Sequence, residues 1–314
     1  MDKESKCAIV LCVGGTYWSH AAVVVASIVE HARNLEFVIF HDRADSKWQS
    51  RIENIAAKNS SLVYFKYINK EIADGFQNYA HLEKSAYYRL FVPSILDSKY
   101  EKFLYLDADV IVLKSIEPIL SLDLDGKILA GRNFFVQDEI VAANKKLERP
   151  FNAPYFNSGV LFVDRVKWLE NKITEKAIDL LVQAPERVSM ADQCAINHAV
   201  GDDFLPLALE WNVTMQYWYP STRPTVPGVT FENLLSARND PAIVHYNGPT
   251  KPWHMADKHP YKHLYTRTRR KFYQPLYIAD DFFPEVLKMV KTSPQNLANF
   301  CRRVLRKIKR LSGL

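Results

Sequence analysis

Two short stretches of the 314-residue chain hold side chains suited to chemistry. The first is Asp107-Ala108-Asp109, set between the apolar runs Phe103-Leu104-Tyr105-Leu106 and Val110-Ile111-Val112-Leu113. Two carboxylates inside apolar sequence are costly unless positive charge compensates them. In extended backbone, residues two apart point the same way. Asp107 and Asp109 can then face one hard cation, with substrate phosphate oxygens completing its shell. A polar turn between two strands is the plainer reading of the same residues. The second stretch runs Val244-His245-Tyr246-Asn247-Gly248-Pro249-Thr250-Lys251-Pro252-Trp253-His254. It offers an imidazole, a glycine whose backbone can approach a ligand closely, and a lysine that can meet a diphosphate as a point charge. His245 alone reads as a structural histidine; clustered with Gly248, Lys251 and Trp253 it reads as part of a site.

The elements that must position these groups follow from hydrophobic patterning. Cys7–Val13 reads as a first strand, Tyr17–His31 as a helix, Glu36–His41 as a second strand and Ser46–Lys58 as a helix with Trp48, Ile52 and Ile55 on one side. Leu62–Ile68 is a third strand, and Ser85–Leu96 a helix that Pro93 should bend or restart. Strands and helices alternate over the first 110 residues, which argues for βαβ units and a mostly parallel α/β sheet. Ligands bind beyond the carboxyl ends of such strands, where Asp107-Ala108-Asp109 falls. Further strands are expected at Lys127–Ala130 and Val160–Val163, and helices at Val166–Val182 and Met190–Val200. From Phe204 to Pro260 the chain is rich in proline and aromatics with little periodicity. It is expected to wrap the site as ordered loops.

Composition bounds the rest. With 48% hydrophobic and 24% charged residues the chain is neither disordered, collagenous nor low in complexity. Its length suits one large domain with an appendage, or two domains. Cys7, Cys12, Cys194 and Cys301 match no zinc spacing and read as reduced thiols. No apolar run reaches the ~18–20 residues of a membrane helix. The stretch Cys7–Gly15 lacks a small-residue cleavage site, so it reads as a buried strand rather than a signal peptide. Asn59-Ser60-Ser61 and Asn212-Val213-Thr214 match the glycosylation acceptor pattern, which arises by chance and carries no weight. Charge is unevenly placed: Lys251–Leu314 holds 15 Lys+Arg against 4 Asp+Glu, leaving the preceding 250 residues at −5. A nucleic-acid enzyme would spread basic residues over its working face. A basic tail on an acidic body reads instead as a separate docking element.

The chain resembles glycosyltransferase family 8. The resemblance rests on Asp107-Ala108-Asp109 after Phe-Leu-Tyr-Leu, on Asn157-Ser158-Gly159-Val160, on Asp192-Gln193, and on His245-Tyr246-x-Gly248-x-x-Lys251-Pro252-Trp253, in order over about Ala8 to His254. It implies a GT-A fold, a Rossmann-like αβα sandwich, over 1–260; the remaining 261–314 reads from its charge and apolar spacing as a helical, basic membrane-association region. It implies a retaining transfer of a hexose from a UDP-sugar to a saccharide or glycolipid acceptor, assisted by Mn²⁺ or Mg²⁺. The metal ligands then fall on Asp107, Asp109 and His245. Asp107, Ala108 and Asp109 also reach the donor's ribose and diphosphate, Gly248 and Lys251 hold the diphosphate, and Arg89 contacts donor sugar or phosphate. Asn157, Asp192 and Gln193 surround the transferred sugar. Gln193 is the matched candidate nucleophile, although an amide is a poor one. Asp192 is chemically better but matches a sugar-binding position. Front-face attack by the acceptor is therefore favoured.

The chain departs from the family in two places. Val13-Gly14-Gly15-Thr16-Tyr17 lacks the carboxylate that reads uracil there, so backbone groups or another residue must do so. Arg132-Asn133 stands where a galactosyltransferase of the family has an Asp touching the sugar; Asn133 can still hydrogen-bond a hydroxyl. A sugar nucleotidyltransferase would continue Gly14-Gly15-Thr16 with an Arg, which is absent. A non-catalytic glycan- or lipid-binding module leaves Asp107, Asp109, His245 and Lys251 unexplained.

In the tail, Leu297, Phe300, Cys301, Val304, Leu305, Ile308 and Leu311 make one helical stripe flanked by Arg and Lys, with no acidic residue from Gln295 onward. This pattern fits an interfacial helix on an anionic membrane, or a helix packed on the acidic body. The first reading makes the protein cytoplasmic and peripheral to the inner face of the plasma membrane.

Overall fold

The computed structural model describes residues 6–77, 84–134, 137–218 and 228–272, with 280, 281, 284, 299 and 302. The stripe over Leu297–Leu311 lies outside the described residues except for Asn299 and Arg302. The chain divides into two units, Met1–Pro249 and Thr250–Leu314, a division that falls before the expected boundary at 260.

Among the described residues the first unit carries ten strands: β1 (Lys6–Val13), β2 (Glu36–His41), β3 (Leu62–Tyr67), β4 (Tyr100–Leu106), β5 (Val110–Val112), β6 (Leu129–Asn133), β7 (Phe156–Asp164), β8 (Phe204–Pro206), β9 (Val213–Thr214) and β10 (Ile243–His245). Seven form one sheet in the order β3-β2-β1-β4-β7-β6-β8. The pairs among β3, β2, β1 and β4 are parallel, as is β6 with β8, while β7 runs antiparallel to both neighbours. The sheet is thus mostly parallel, as expected. Its central strands are buried on both faces, which is why Cys7–Val13 of β1 and Val160–Val163 of β7 read as unbroken apolar runs rather than alternating ones. β3 is the edge and alternates in exposure.

The helix Trp18–Val29 is buried along its whole length, so it needs no polar stripe. The Val112 amide donates to Ser27 Oγ in it at 3.0 Å, tying the helix to β5. The helix Ser46–Ala57 starts where the Asp45 carboxylate accepts from the Trp48 amide at 3.1 Å, a cap worth about 1 kcal/mol. Around Pro93 the chain does restart: a 3₁₀ helix ends at Leu90 and a short helix, Val92–Ile95, carries the proline in its first turn. The single helix expected over Val166–Val182 is two, Arg165–Glu170 and Ile173–Gln183. Lys172 between them takes a left-handed φ of +54° that a continuous helix cannot absorb.

A second sheet, β5-β10-β9, holds the chemistry-bearing ends. The chain passes from β4 in the large sheet to β5 in the small one across Asp107-Ala108-Asp109. The Asp107 amide still donates to the Gly159 carbonyl of β7 at 2.9 Å, and the Asp109 carbonyl already accepts from the Tyr246 amide beyond β10, also at 2.9 Å. Both carboxylates are thereby held by backbone ladders on either side of a sheet switch.

The described residues of 204–249 are not all loop. They hold β8, β9, β10, the 3₁₀ helices Leu209–Asn212 and Met215–Trp218, and the helix Phe231–Asn239. Elements of two to four residues are too short to show a period. The longer helix had a legible start in the Thr230 and Asn233 capping box. The second unit contains the helix Lys262–Phe272, whose Tyr265 packs on Trp253 with ring centroids 5.5 Å apart and whose Arg269 pairs with Asp280 at 3.1 Å.

Candidate active site

Arg89 organises one half of the site. It leaves the 3₁₀ helix Lys84–Leu90 and is 8% exposed. Its Nη2 lies 2.7 Å from Asp107 Oδ1, and its Nε 3.1 Å from Asp192 Oδ2. Its Nη1 donates to the Ser158 carbonyl at 2.8 Å, and its guanidinium sits 4.6 Å over the Tyr105 ring. Burial lowers the pKa of Arg89, but the carboxylates of Asp107 and Asp192 outweigh it and hold the residue above its usual value. Tyr105 donates its hydroxyl to Asp107 Oδ1 at 2.9 Å. Asp192, in the first turn of the helix Ala191–Val200, also accepts from the Ser158 hydroxyl at 3.0 Å. Burial pushes Asp192 up to about 6, against the pull of Arg89.

The other half is built from amides. Asn157 on β7 donates Nδ2 to Gln193 Oε1 at 2.9 Å, and Gln193 Oε1 also accepts from the Ser158 amide at 3.2 Å. Asn157 Oδ1 accepts from the Gly159 amide at 3.1 Å and from Asn212 Nδ2 at 2.8 Å. Asn212 Oδ1 lies 3.0 Å from His245 Nδ1. The opposite nitrogen, His245 Nε2, lies 3.2 Å from Asp109 Oδ1 and 3.6 Å from Asp107 Oδ2.

Asp107, Asp109 and His245 each turn one ligand atom into a space where those atoms lie within 4.8 Å of one another. Gly159 keeps that space open: a Cβ there would fall 2.2 Å from His245 Cε1 and 2.5 Å from Asp107 Oδ2. Two carboxylate oxygens and an imidazole nitrogen around a cradle that any side chain would fill suit a divalent cation that also takes phosphate oxygens.

The structure thus brings Arg89, Asp107, Asp109, Asn157, Asp192, Gln193 and His245 into one connected network. Ala108 is buried between the two aspartates in the chain. Asn133, at the end of β6, has its carbonyl bonded by Arg132 at 2.7 Å and lines a cavity with Leu207, Glu210 and Asn233. Gly248 follows β10 by three residues. Lys251 belongs to the second unit, where its amide donates to His254 Nδ1 at 3.2 Å. Tyr105 and Asn212 were not among the expected site residues. Tyr105 was legible in principle, two residues before Asp107 on the same strand face. Asn212 is fully buried, so its match to a glycosylation acceptor has no meaning in the folded chain. Among the described residues Cys7, Cys12 and Cys194 are free thiols, as expected.

A mostly parallel α/β sheet with a carboxylate–imidazole cluster where the chain switches sheets defines the class, a GT-A-type transferase. The model of glycosyl transferase family 8 matches residues 8–257, and the chain belongs to that family. It is 27% identical over 272 residues to General stress protein A of Bacillus subtilis (strain 168), covering 84% of this chain and 93% of that protein. It is 28% identical over 244 residues to a lipopolysaccharide 1,2-glucosyltransferase of Escherichia coli (strain K12), covering 77% and 71%. Among solved structures, the galactosyltransferase LgtC in complex with donor and acceptor sugar analogs superposes with a TM-score of 0.74 over 88% of this chain and 99% of that one, at 21% identity. The superposition shows a shared fold.

Proposed function

We propose that this glycosyltransferase moves a hexose, glucose or galactose, with retention from a UDP-sugar to a saccharide or glycolipid acceptor, in the synthesis of lipopolysaccharide or another cell-surface glycan. The observation that carries the reading is the cluster of Asp107, Asp109 and His245 joined through Arg89 to Asp192. The names of the matched relatives, a lipopolysaccharide glucosyltransferase and a galactosyltransferase, support the substrate class.

Asp107, Asp109 and His245 would hold Mn²⁺ or Mg²⁺, which when bound neutralises negative charge developing on the leaving diphosphate. Lys251, three residues after Gly248, would add a fixed positive charge to the same diphosphate. Asn157, Asp192 and Gln193 orient the hexose, with Asn133 reaching it from β6. Front-face delivery is supported by how the two candidate nucleophiles are used. Gln193 Oε1 already accepts two hydrogen bonds, and Asp192 Oδ2 takes both Arg89 and Ser158. The acceptor hydroxyl then attacks on the face the diphosphate leaves, and the departing phosphate takes its proton. No described helix is long and apolar enough to cross a membrane. The basic C-terminal region would instead hold the protein on the inner face of the plasma membrane beside a glycolipid acceptor.

The test is hexose release or transfer from UDP-glucose and UDP-galactose with and without Mn²⁺. Asp109→Asn should abolish the Mn²⁺-dependent rate in a protein that still folds. Lys251→Ala should lower turnover by roughly 10²–10³. Full activity of Asp109→Asn in excess chelator would overturn the metal role. An inert wild type with every UDP-hexose and Mn²⁺ would overturn the donor class.

A further inference from the structure

We propose that Asn212 is a positioning residue that sets which nitrogen of His245 faces the cation and, through the same side chain, the direction of the amides around the hexose. The proposal rests on the metal reading of Asp107, Asp109 and His245.

The argument starts from two backbone N–H groups, which can only donate. The Ser158 amide donates to Gln193 Oε1 and the Gly159 amide donates to Asn157 Oδ1. These bonds fix which end of each side-chain amide is oxygen. Asn157 must therefore offer Nδ2 to Gln193 and Oδ1 to Asn212. Facing an acceptor, Asn212 must present Nδ2 to Asn157, which leaves Oδ1 for His245 Nδ1 at 3.0 Å. A carbonyl oxygen accepts, so Nδ1 carries the hydrogen. In the neutral imidazole that binds metals, Nε2 then presents its lone pair, and Nε2 is the atom beside Asp109 and Asp107. Without a cation that lone pair would face two carboxylates. Asn212 is 0% exposed, so no water competes for either bond. Partners of this kind, which orient a metal-binding histidine through its other nitrogen, typically change affinity 10–100-fold when removed.

Two variants separate the two ends of the side chain. Asn212→Leu keeps the volume and removes both bonds. Asn212→Asp keeps an oxygen for His245 Nδ1–H but has no N–H for Asn157. Mn²⁺ affinity is read from the electron paramagnetic resonance of the free ion, with saturating UDP present. Asn212→Leu should weaken Mn²⁺ about 10–100-fold. Asn212→Asp should stay within about threefold of wild type for Mn²⁺, yet lose roughly tenfold in UDP-glucose affinity relative to UDP, the worth of one hydrogen bond. Wild-type Mn²⁺ affinity in Asn212→Leu, or equal loss in both variants, would each overturn the proposal. If Asn212→Leu does not fold, the split between Mn²⁺ and hexose in Asn212→Asp decides. A wild type that binds no Mn²⁺ overturns the metal reading, while the loss of UDP-glucose affinity relative to UDP in Asn212→Asp still decides the role of Asn212 in the amide chain.

Discussion

Asp107 is held between two neighbourhoods built on different principles. On one side stands a charged grip: Arg89 touches Asp107 and Asp192 at once, with Tyr105 donating to the same Asp107 oxygen. On the other stands an uncharged chain, Gln193–Asn157–Asn212, that ends on His245. Charge is strong but has no sense of direction, so the grip settles how much negative charge the site can bury. Amide chains are weaker per bond but polar along their length, so they settle which atom of each side chain points where. A site that must both gather carboxylates and aim an imidazole uses each device on its own side.

Removing Arg89 should break the comparison most visibly. Arg89→Leu leaves the buried Asp192 and the half-buried Asp107 without their cation, a loss of about 3–5 kcal/mol. Burial raises Asp192 to about 6, so it takes up a proton by pH 5 but not at pH 8, and the loss in urea titrations should be smaller at pH 5 than at pH 8. Interrupting the amide chain should cost less and respond differently. Asn157→Ala leaves Gln193 Oε1 and Asn212 Nδ2 each short of a partner, roughly 1–3 kcal/mol with no such pH dependence. Equal losses and equal pH profiles for the two variants would show that the halves are not distinct.

The smallest effect sharpens the charged side alone. The folded pKa of Asp192, about 6, lies above the ~3.9 of an unfolded aspartate. The folded chain therefore holds that proton more tightly. The group's contribution to stability is fully present below ~pH 4 and is lost as pH rises through about 6. Asp192→Asn should flatten the slope of unfolding free energy between those values, by at most ~1.4 kcal/mol per pH unit. An unchanged slope would mean that Arg89 and Ser158 keep Asp192 ionised throughout.

The two carboxylates of the sheet switch were legible in the sequence, and the side chains that hold them in place were not. Asp107 and Asp109 stood out because apolar runs flank them, β1 and β2 stood out as apolar runs themselves, and the helix Ser46–Ala57 was long enough to show its period. Arg89, Asn157, Asp192 and Gln193 came from the family resemblance rather than from any local pattern. The link from Asn212 to His245 spans 33 residues and the link to Asn157 spans 55. Nothing within a local window encodes such a pairing. Asn212 also ends a four-residue 3₁₀ helix directly before a two-residue strand, both below the length at which periodicity speaks. The turn at Lys172 was invisible for a related reason: a lysine in the left-handed region carries none of the glycine or asparagine signal that usually marks such a break.

Gly159 has a consequence for how such a site can arise at all. The volume a methyl group would need on β7 is the volume that the His245 ring and the Asp107 carboxylate share. A lineage with any side chain at this position cannot acquire the imidazole beside it without first losing that side chain. Once the imidazole is in place, the glycine cannot be replaced without dismantling the cluster. The order of steps is therefore constrained: the empty place in the strand comes before, or together with, the histidine, and the path back is closed by a single carbon atom.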